Sequence, residues 1–442
     1  MSVDTTHNLY KKYINQTKLC RDVLEGTETI VKNASIYTPF LTALDETENK
    51  IRVKRASFDN YTARALDGFT GLIFSKNPTY DLPTALNDFI YSVDLGKKSH
   101  IDLAQECTRE VLATGRVGLL VDVDAEDKDK PNPYIAVYPT ESIINWRMRN
   151  NKLVMVVLKE SEQVWTTQFD SDIIDIYRVL YINNDGYYEV AIYKSTNENP
   201  IILDPKIKGK RIDYIPFVSI TSDTLTINPT KPPIYDLADS NLSYHRLKVD
   251  LYHSLFFTVP TPYGTGIQKN EIEGGIQLGS SKANFFSDPQ AKLAYLEFTG
   301  QGLTHYFTEM ESCKQSMASL GAEFLRNNSS KVEAAETVAL RSSADRATLI
   351  SVADTVSRGI EIAFEFVCNW LGLSNVNLTY SLNKDYNLVD MTAQEVTALA
   401  QSWLSGAISR KDLFEALQKG EKIDPSLTYD DWVERFESTG GI

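Results

Sequence analysis

The chain has 442 residues, of which 42% are hydrophobic and 24% charged, a composition typical of a folded globular protein with two or three structural units. Lys and Arg number 45 against 59 Asp and Glu, which gives a formal net charge of −14. This acidic balance argues against a protein that holds nucleic acid by neutralising its phosphates, because such proteins present a basic patch. The same balance is compatible with a protein that lets nucleic acid slide past without holding it.

The cysteines and the first residues of the chain favour a protein made in the cytosol. The cysteines lie far apart, with no CxxC and no metal-ligand spacing, so we expect reduced and mostly buried thiols. They are Cys20, Cys107, Cys313 and Cys368. Residues 1–18 have no apolar core of the signal-peptide type, and no stretch of the sequence is long and apolar enough for a membrane helix. We therefore expect neither a signal peptide nor membrane insertion.

In the N-terminal half, the spacing of apolar residues changes from helical to strand-like. Repeats at three and four residues predict helices over 5–32, Lys54–Ile73 and Ile101–Ala113, the last ending at Gly115. Short segments rich in Val, Ile and Tyr follow and predict a mostly antiparallel sheet. These segments are Val117–Val123, Tyr134–Val137, Leu153–Lys159, Ile173–Ile182, Tyr187–Lys194 and Pro216–Ile220.

In the C-terminal half, helices dominate, after a loop rich in Pro and Thr at residues 221–233. The longest helical pattern runs from Val332 to about Leu371; at 1.5 Å per residue it would span roughly 60 Å, too long for one compact globule. The other predicted elements are helices at Ile234–Phe257 and Leu303–Leu320, a Gly- and Ser-rich insertion at 258–300, a break at Gly321–Lys331, a strand at Val376–Leu382, and helices from Thr392 and at Arg410–Lys419. Together with the sheet, these elements predict an α+β fold.

Two acidic patterns were considered as sites and favour ordinary structure instead. Leu119–Asp124 (LLVDVD) is similar to the acidic strand of a nucleotide-hydrolysing site, but the phosphate loop that such a site needs does not occur in the sequence. Alternating acids could bind calcium, but Asp127 and Pro133 stand where an EF-hand loop needs Gly and Glu. Those acids are Asp122, Asp124, Glu126, Asp127 and Asp129.

The histidines show no zinc-binding spacing, and no motif argues for catalysis. They are His7, His100, His245, His253 and His305. We therefore expect no enzyme activity, no metal and no cofactor.

The order of the elements resembles that of the portal proteins of tailed bacteriophages: helix, small insertion, helix, short polar break, very long helix. Four segments carry the resemblance, in the family's order: Asn60–Pro78, Pro232–Pro262, Ala334–Leu349 and Met391–Leu417. It covers nearly the whole chain and is nearest to the subgroup known by a domain of unknown function. One departure is that little follows Arg435, so any crown at the C-terminal end would be small.

The resemblance implies a fold with a mainly helical wing and stem, a small antiparallel β region and a clip insertion. The regions would be 1–233 wing, 234–257 stem helix, 258–300 clip, 301–320 stem helix, 321–331 tunnel loop, 332–375 long wing helix, and 376–442 C-terminal wing with small crown helices.

The resemblance also implies a ring of twelve copies at one capsid vertex, assembled in the host cytoplasm. Double-stranded DNA would pass through it during packaging and ejection. The implied partners are the large terminase subunit, a tail adaptor, and the major capsid and scaffolding proteins. The tunnel loop would face DNA with Arg326, Asn327, Asn328, Ser329, Ser330 and Lys331, although a plain interhelical loop is the alternative. The clip would bind partners through Tyr263, Lys269, Glu271, Glu273 and Lys282.

Two other classes of protein stay open at this point. A different structural protein of the virion, such as a connector or scaffold, would form a smaller or filamentous assembly. An uncharacterised hydrolase would be a monomer or dimer with measurable turnover. The mass of the native particle separates the three.

Overall fold

The computed structural model describes residues 2–124, 132–194, 199–256, 258, 261–267, 285–296, 302–321, 335–374, 376–386, 393–420, 422–423 and 427–438. The chain divides into two units, residues 1–384 and 385–442. Among the described helices, none combines the length and the apolar character needed to cross a bilayer.

Six helices occupy the N-terminal part of the first unit. They are α1 (Asn8–Glu25), α2 (Thr27–Lys32), α3 (Ala34–Tyr37), α4 (Glu46–Lys54), α5 (Tyr61–Ile73) and α6 (His100–Thr114), with β1 (Thr79–Asp81) between the last two. Arg21 on α1 forms ion pairs with Glu110 on α6 and with Glu141, where its Nε lies 2.8 Å from the carboxylate. This pairing holds α1 against α6 and the start of the sheet region.

Two antiparallel sheets follow. The first has the order β11-β2-β3 and the second the order β4-β5-β6-β7-β8, with a small hairpin of β9 and β10 after β8. The strands are β2 (Arg116–Asp124), β3 (Asn132–Pro139), β4 (Ile143–Arg149), β5 (Lys152–Trp165), β6 (Ser171–Ile182), β7 (Tyr188–Tyr193), β8 (Ile201–Leu203), β9 (Lys206–Ile207), β10 (Lys210–Arg211) and β11 (Phe217–Thr221).

The buried guanidinium of Arg116 organises the start of these sheets. It donates hydrogen bonds to the carbonyls of Thr140, Ile143 and Ile227 at 2.7–2.9 Å. A buried charge is tolerated only when its donors are satisfied, and carbonyl oxygens fill that role here. Arg116 therefore ties β2 to the β3–β4 turn and to the loop that precedes the next helix.

In the described part of the rest of the first unit, helices dominate and two small strand pairs occur. This part contains α7 (Tyr235–Phe256), β12 (Thr261–Thr265), β13 (Lys292–Leu296), α8 (Leu303–Ser319), α9 (Ala335–Trp370) and β14 (Thr379–Ser381). β12 pairs with β13 and β14 pairs with β1, both antiparallel.

The C-terminal half of α9 forms the centre of the first unit's core. Its apolar side chains Val352, Val356, Ile360, Phe364 and Val367 recur every three or four residues and are fully buried. They pack in contact with α6, β2, β11 and β14. The sequence predicted a helix too long for one compact globule, but residues 349–370 bury their apolar face within their own unit.

The second unit contains three short helices, α10 (Ala393–Leu404), α11 (Arg410–Lys419) and α12 (Tyr429–Ser438). The rings of Phe414, Tyr429 and Trp432 lie within 5.3–6.2 Å of one another and form its aromatic cluster. Ser409 and Asp412 form a capping box that begins α11. α12 was not predicted from the sequence.

The α+β class is confirmed in its general form, helices with small antiparallel sheets, and three sequence-based boundaries are corrected. The helix predicted over 5–32 is interrupted at Gly26, between α1 and α2. The helix predicted from Lys54 begins at Tyr61, because Asn60 accepts a hydrogen bond from the Ala63 amide and caps α5 there. The strand predicted to end at Lys159 continues to Trp165, and β4 was not predicted at all.

Candidate functional site

The helices α7 and α8 form an antiparallel hairpin, the arrangement expected for the two stem helices. Leu237 and Tyr244 of α7 pack with Met310, Cys313 and Met317 of α8 and with Ala65 of α5. The ammonium of Lys314 lies 5.8 Å from the centre of the Tyr244 ring. Residues early in α7 thus contact residues late in α8, which sets the antiparallel direction.

A buried asparagine on α7 fixes this hairpin to the N-terminal helices. The Oδ1 of Asn241 accepts from the amide and the hydroxyl of Thr62, both at 3.1 Å. Its Nδ2 donates to the Asp59 carbonyl at 2.9 Å. Asn241 is fully buried, so each of these hydrogen bonds replaces one that water made in the unfolded chain.

Charged side chains continue the same attachment along α7. Lys248 pairs with Asp59 at 2.7 Å and donates to the Ser57 hydroxyl at 3.0 Å. Arg52 of α4 is buried and forms an ion pair with Asp250. The Nε of Arg246 donates to the Tyr37 carbonyl at 2.6 Å. Polar contacts to residues 37–62 therefore hold α7 along positions 241–250.

His245 lies within this polar interface and is almost wholly buried. Its ring meets Phe58 edge to face, with centroids 5.3 Å apart. Burial lowers the pKa of His245 to about 4; the positive charges of Lys248 and Arg246 act in the same direction, and Asp59 opposes them. The ring is consequently neutral near pH 7.

Exposure increases toward the end of the hairpin that leads into β12 and β13. Phe256 at the end of α7 and Phe307 near the start of α8 are exposed, as are Tyr263 on β12 and Tyr295 on β13. The guanidinium of Arg55 covers Phe256 at 3.7 Å from the ring centre. Exposed aromatic side chains on a small strand pair are typical of a surface that binds another protein.

The structure describes only one of the residues expected to bind partners or DNA. Tyr263 lies on β12, opposite Ala294 of β13, and is exposed. The other four expected clip residues, Lys269, Glu271, Glu273 and Lys282, lie outside the described residues. So do all six expected tunnel-loop residues: Arg326, Asn327, Asn328, Ser329, Ser330 and Lys331.

Asp122, a residue of the acidic strand considered above, has a structural role. Its carboxylate lies 3.3 Å from Arg178 of β6 and accepts from the Val123 amide at 2.9 Å. Burial raises the pKa of Asp122, and the hydrogen bond and Arg178 oppose that shift. Arg178 also pairs with Glu160 at 2.6 Å, so these charges join the two sheets. In the described part of the chain, no three His, Cys, Asp or Glu side chains are grouped as metal ligands.

Sequence analysis missed the polar side chains that attach α7. Asn241, His245 and Lys248 follow one another at four and three residues and so share one face of the helix. The sequence assigned no role to these three side chains, and the structure shows all three buried. The sequence nevertheless contained a signal for this burial. Leu242 and Val249 directly follow Asn241 and Lys248, so the apolar face of the helix lies beside these polar side chains.

Comparison with known proteins gives a family match over part of the chain. Residues 233–371, which include α7, α8 and α9, match the model of a domain of unknown function, DUF4055. No curated protein sequence matches the chain.

Two solved structures match the chain at low identity. One is a chain of the neck of an empty GTA particle computed with C6 symmetry; it is 12% identical, with a TM-score of 0.43, and the match covers 82% of this chain and 91% of that chain. The other is a chain of the neck of a native GTA particle computed with C12 symmetry. It is also 12% identical, with a TM-score of 0.43, and the match covers 86% of this chain and 94% of that chain. Similarity at this level assigns no function.

Proposed function

We propose that the protein is the portal subunit of a tailed-phage-like particle. Twelve copies form a ring at one vertex of the capsid, and DNA passes through the ring during packaging and ejection. The terminase and later a tail adaptor dock on the clip, and capsid and scaffolding proteins contact the wing.

The observation that carries this proposal is the attached helical hairpin. α7 and α8 pack in antiparallel fashion, their connection contains the β12–β13 pair, and the long helix α9 follows in the chain. This is the order implied for stem, clip and wing. Buried contacts of Asn241 and Lys248 fix α7 to the N-terminal helices, while aromatic side chains are exposed where the hairpin leads into β12 and β13. The match to a domain of unknown function spans the same helices.

The charge of the chain suits a channel for DNA. Each copy carries a formal charge of −14, so twelve copies carry 12 × −14, or −168. Acidic walls repel phosphates and keep a moving duplex from adhering, and salt weakens that repulsion.

The mass of the native assembly tests the proposal. One chain weighs 49.8 kDa, so a ring of twelve weighs about 600 kDa and should show an axial channel in electron micrographs. Filaments, or compact dimers at every concentration, would contradict the proposal and favour another structural protein of the virion or an enzyme.

The tunnel loop provides a functional test in the phage. Replacing Asn327–Lys331 by a Gly/Ser linker should leave ring assembly intact and impair packaging or retention of the full genome in a complementation assay. In the proposed channel, Arg326 and Lys331 are positive groups near the DNA phosphates, and the linker removes Lys331 together with its polar neighbours. Normal packaging of full-length DNA would show that the loop has no such role, and loss of the ring would place these residues in a packing interface.

A further inference from the structure

Among the described residues, no other strand lies beside the outer half of the β5–β6 hairpin. β7 pairs with β6 only over residues 177–182, whereas β5 and β6 remain paired out to Trp165 and Ser171. Every side chain from 161 to 170 is exposed. We call residues 160–175 the hairpin tip; its outer part, residues 161–170, buries no side chain within its own chain.

The hairpin tip exposes three large apolar side chains. Trp165 is 63% exposed, Phe169 88% and Ile173 75%. Trp165 faces Ser171 and Ile173 faces Gln163, so Trp165 and Ile173 are diagonal neighbours on one face. Large aromatic side chains at an exposed hairpin end are costly in water, and they are the side chains that dominate protein interfaces.

The hairpin tip is also acidic. It contains Glu160, Glu162, Asp170, Asp172 and Asp175 and no Lys or Arg. Glu160 pairs with Arg178 and Asp175 with Lys159. Asp170 and Asp172, next to Phe169, are exposed at the outer end. A partner for the tip should therefore combine an apolar recess with positive charge.

Such a surface lies at the other end of the same sheet. A cavity of about 530 Å³ opens beside Ile202 of the edge strand β8, and its lining includes Tyr181 and Tyr193. Arg147 and Arg149 line it as well, and both are exposed. All three residues of β8, Ile201, Ile202 and Leu203, are exposed large apolar side chains. We call this cavity together with β8 the receiving surface.

The hairpin tip cannot reach the receiving surface of its own chain. Tyr181 lies eight residues along β6 from Ile173, which is roughly 25 Å at 3.3 Å per residue. Only a second molecule can bring the two surfaces together.

We propose that the hairpin tip of one copy seats in the receiving surface of the next, with Trp165 and Phe169 in the cavity and Asp170 and Asp172 beside Arg147 and Arg149. Apolar side chains meet apolar side chains, and acidic side chains meet basic ones. Each copy offers one tip and one receiving surface, so the contact is head-to-tail and closes into a ring when the rotation closes. The inference deepens the proposed function, on which it rests, by naming the surfaces that join neighbouring subunits.

Charge reversal tests this contact in the full chain. The tip variant carries Asp170→Lys and Asp172→Lys, and the receiving variant carries Arg147→Glu and Arg149→Glu. Each should associate about tenfold more weakly than the wild type in native mass measurements, because like charges then face each other. A chain with all four changes should recover assembly. All five side chains changed in the test and in the control below are exposed, so unfolding temperatures should not change.

The matched control is Asp88→Lys, an exposed acid that belongs neither to the hairpin tip nor to the residues that line the cavity. It should assemble like the wild type. Assembly of either reversed variant at the wild-type level, or failure of the four-fold variant to recover, would overturn the contact. In both cases a wild-type ring would leave the proposed function in place. A wild type that stays monomeric at every concentration would overturn the proposed contact between subunits. The proposed portal function is tested separately, by the packaging assay of the tunnel-loop variant.

Discussion

At the scale of single residues, Gly115 shows how closely two segments approach. It ends α6 with a φ of +82°, a conformation that is costly for residues with a Cβ. A Cβ there would also lie 2.8 Å from the Thr230 carbonyl oxygen, in the loop before α7. The chain passes from α6 into β2 in contact with that loop, so position 115 has no room for a side chain.

We expect Gly115→Ala to lower the free energy of unfolding by about 2–4 kcal/mol, measured by urea denaturation. The matched control is Gly186→Ala, because Gly186 has a φ of +86° and nothing within 4 Å of its Cβ position. That variant should lose only the conformational part, about 1 kcal/mol. Equal losses in the two variants would show that the loop can move away from Gly115.

His245 should make the stability of the chain depend on pH. Its pKa is about 4 in the folded chain, against about 6.5 when unfolded. As the pH falls from 6.5 toward 4, the unfolded chain binds a proton that the folded chain does not, so stability is lost over this range and is unaffected above it. The loss attributable to His245 at pH 4.5 is about 2 kcal/mol.

The measurement is the unfolding free energy of the wild type and of His245→Gln from pH 7.5 to pH 4.5. His245→Gln should be less stable than the wild type at pH 7.5, but its unfolding free energy should fall less as the pH is lowered to 4.5. His305→Gln, at an exposed histidine on α8, should keep the wild-type slope. Parallel curves for the wild type and His245→Gln would contradict the assignment of the dependence to His245.

At the scale of elements, the attachment of the α7–α8 hairpin depends on Asn241. Asn241→Ala removes the acceptor of Thr62 and the donor to Asp59 and leaves buried groups without partners, which should cost about 2–3 kcal/mol in unfolding free energy. Asp239→Ala, at an exposed position on the same helix, should cost less than about 0.5 kcal/mol. A loss below 1 kcal/mol for Asn241→Ala would mean that water replaces the amide.

The elements also differ in how well the sequence predicts them, for physical reasons. α11 was predicted with its observed bounds, because Ser409 and Asp412 supply a local start signal and Gly420 ends the helix. The outer part of β5 was not predicted, because apolar and polar residues alternate along a strand only where one of its faces is buried. Residues 161–165 are exposed on both faces. The order of helix, insertion and helix in the α7–α8 segment was predicted from the sequence. The attachment through Asn241 was not, since it depends on Thr62, which is 179 residues away.

At the scale of the whole molecule, the proposed function assigns the work of packaging to a separate enzyme. Asp122 is held by Arg178 and by the Val123 amide. We expect no ATPase or nuclease turnover from the purified chain, because packaging work would come from a separate enzyme docked at the clip. Turnover that survives stringent purification and disappears in Asp122→Asn or Asp124→Asn would contradict this expectation.

The pairing of β1 with β14 has a consequence for how the protein is made. Thr79 pairs with Ser381, so a strand made early in translation has no partner until more than three-quarters of the polypeptide has left the ribosome. The core helix α9 is also synthesised late, although the first unit is built around it. Because such non-local contacts form last, nascent chains cannot present a completed subunit surface. Oligomers should therefore grow from released, finished polypeptides, and a premature stop codon anywhere before residue 381 should yield product that is degraded rather than incorporated.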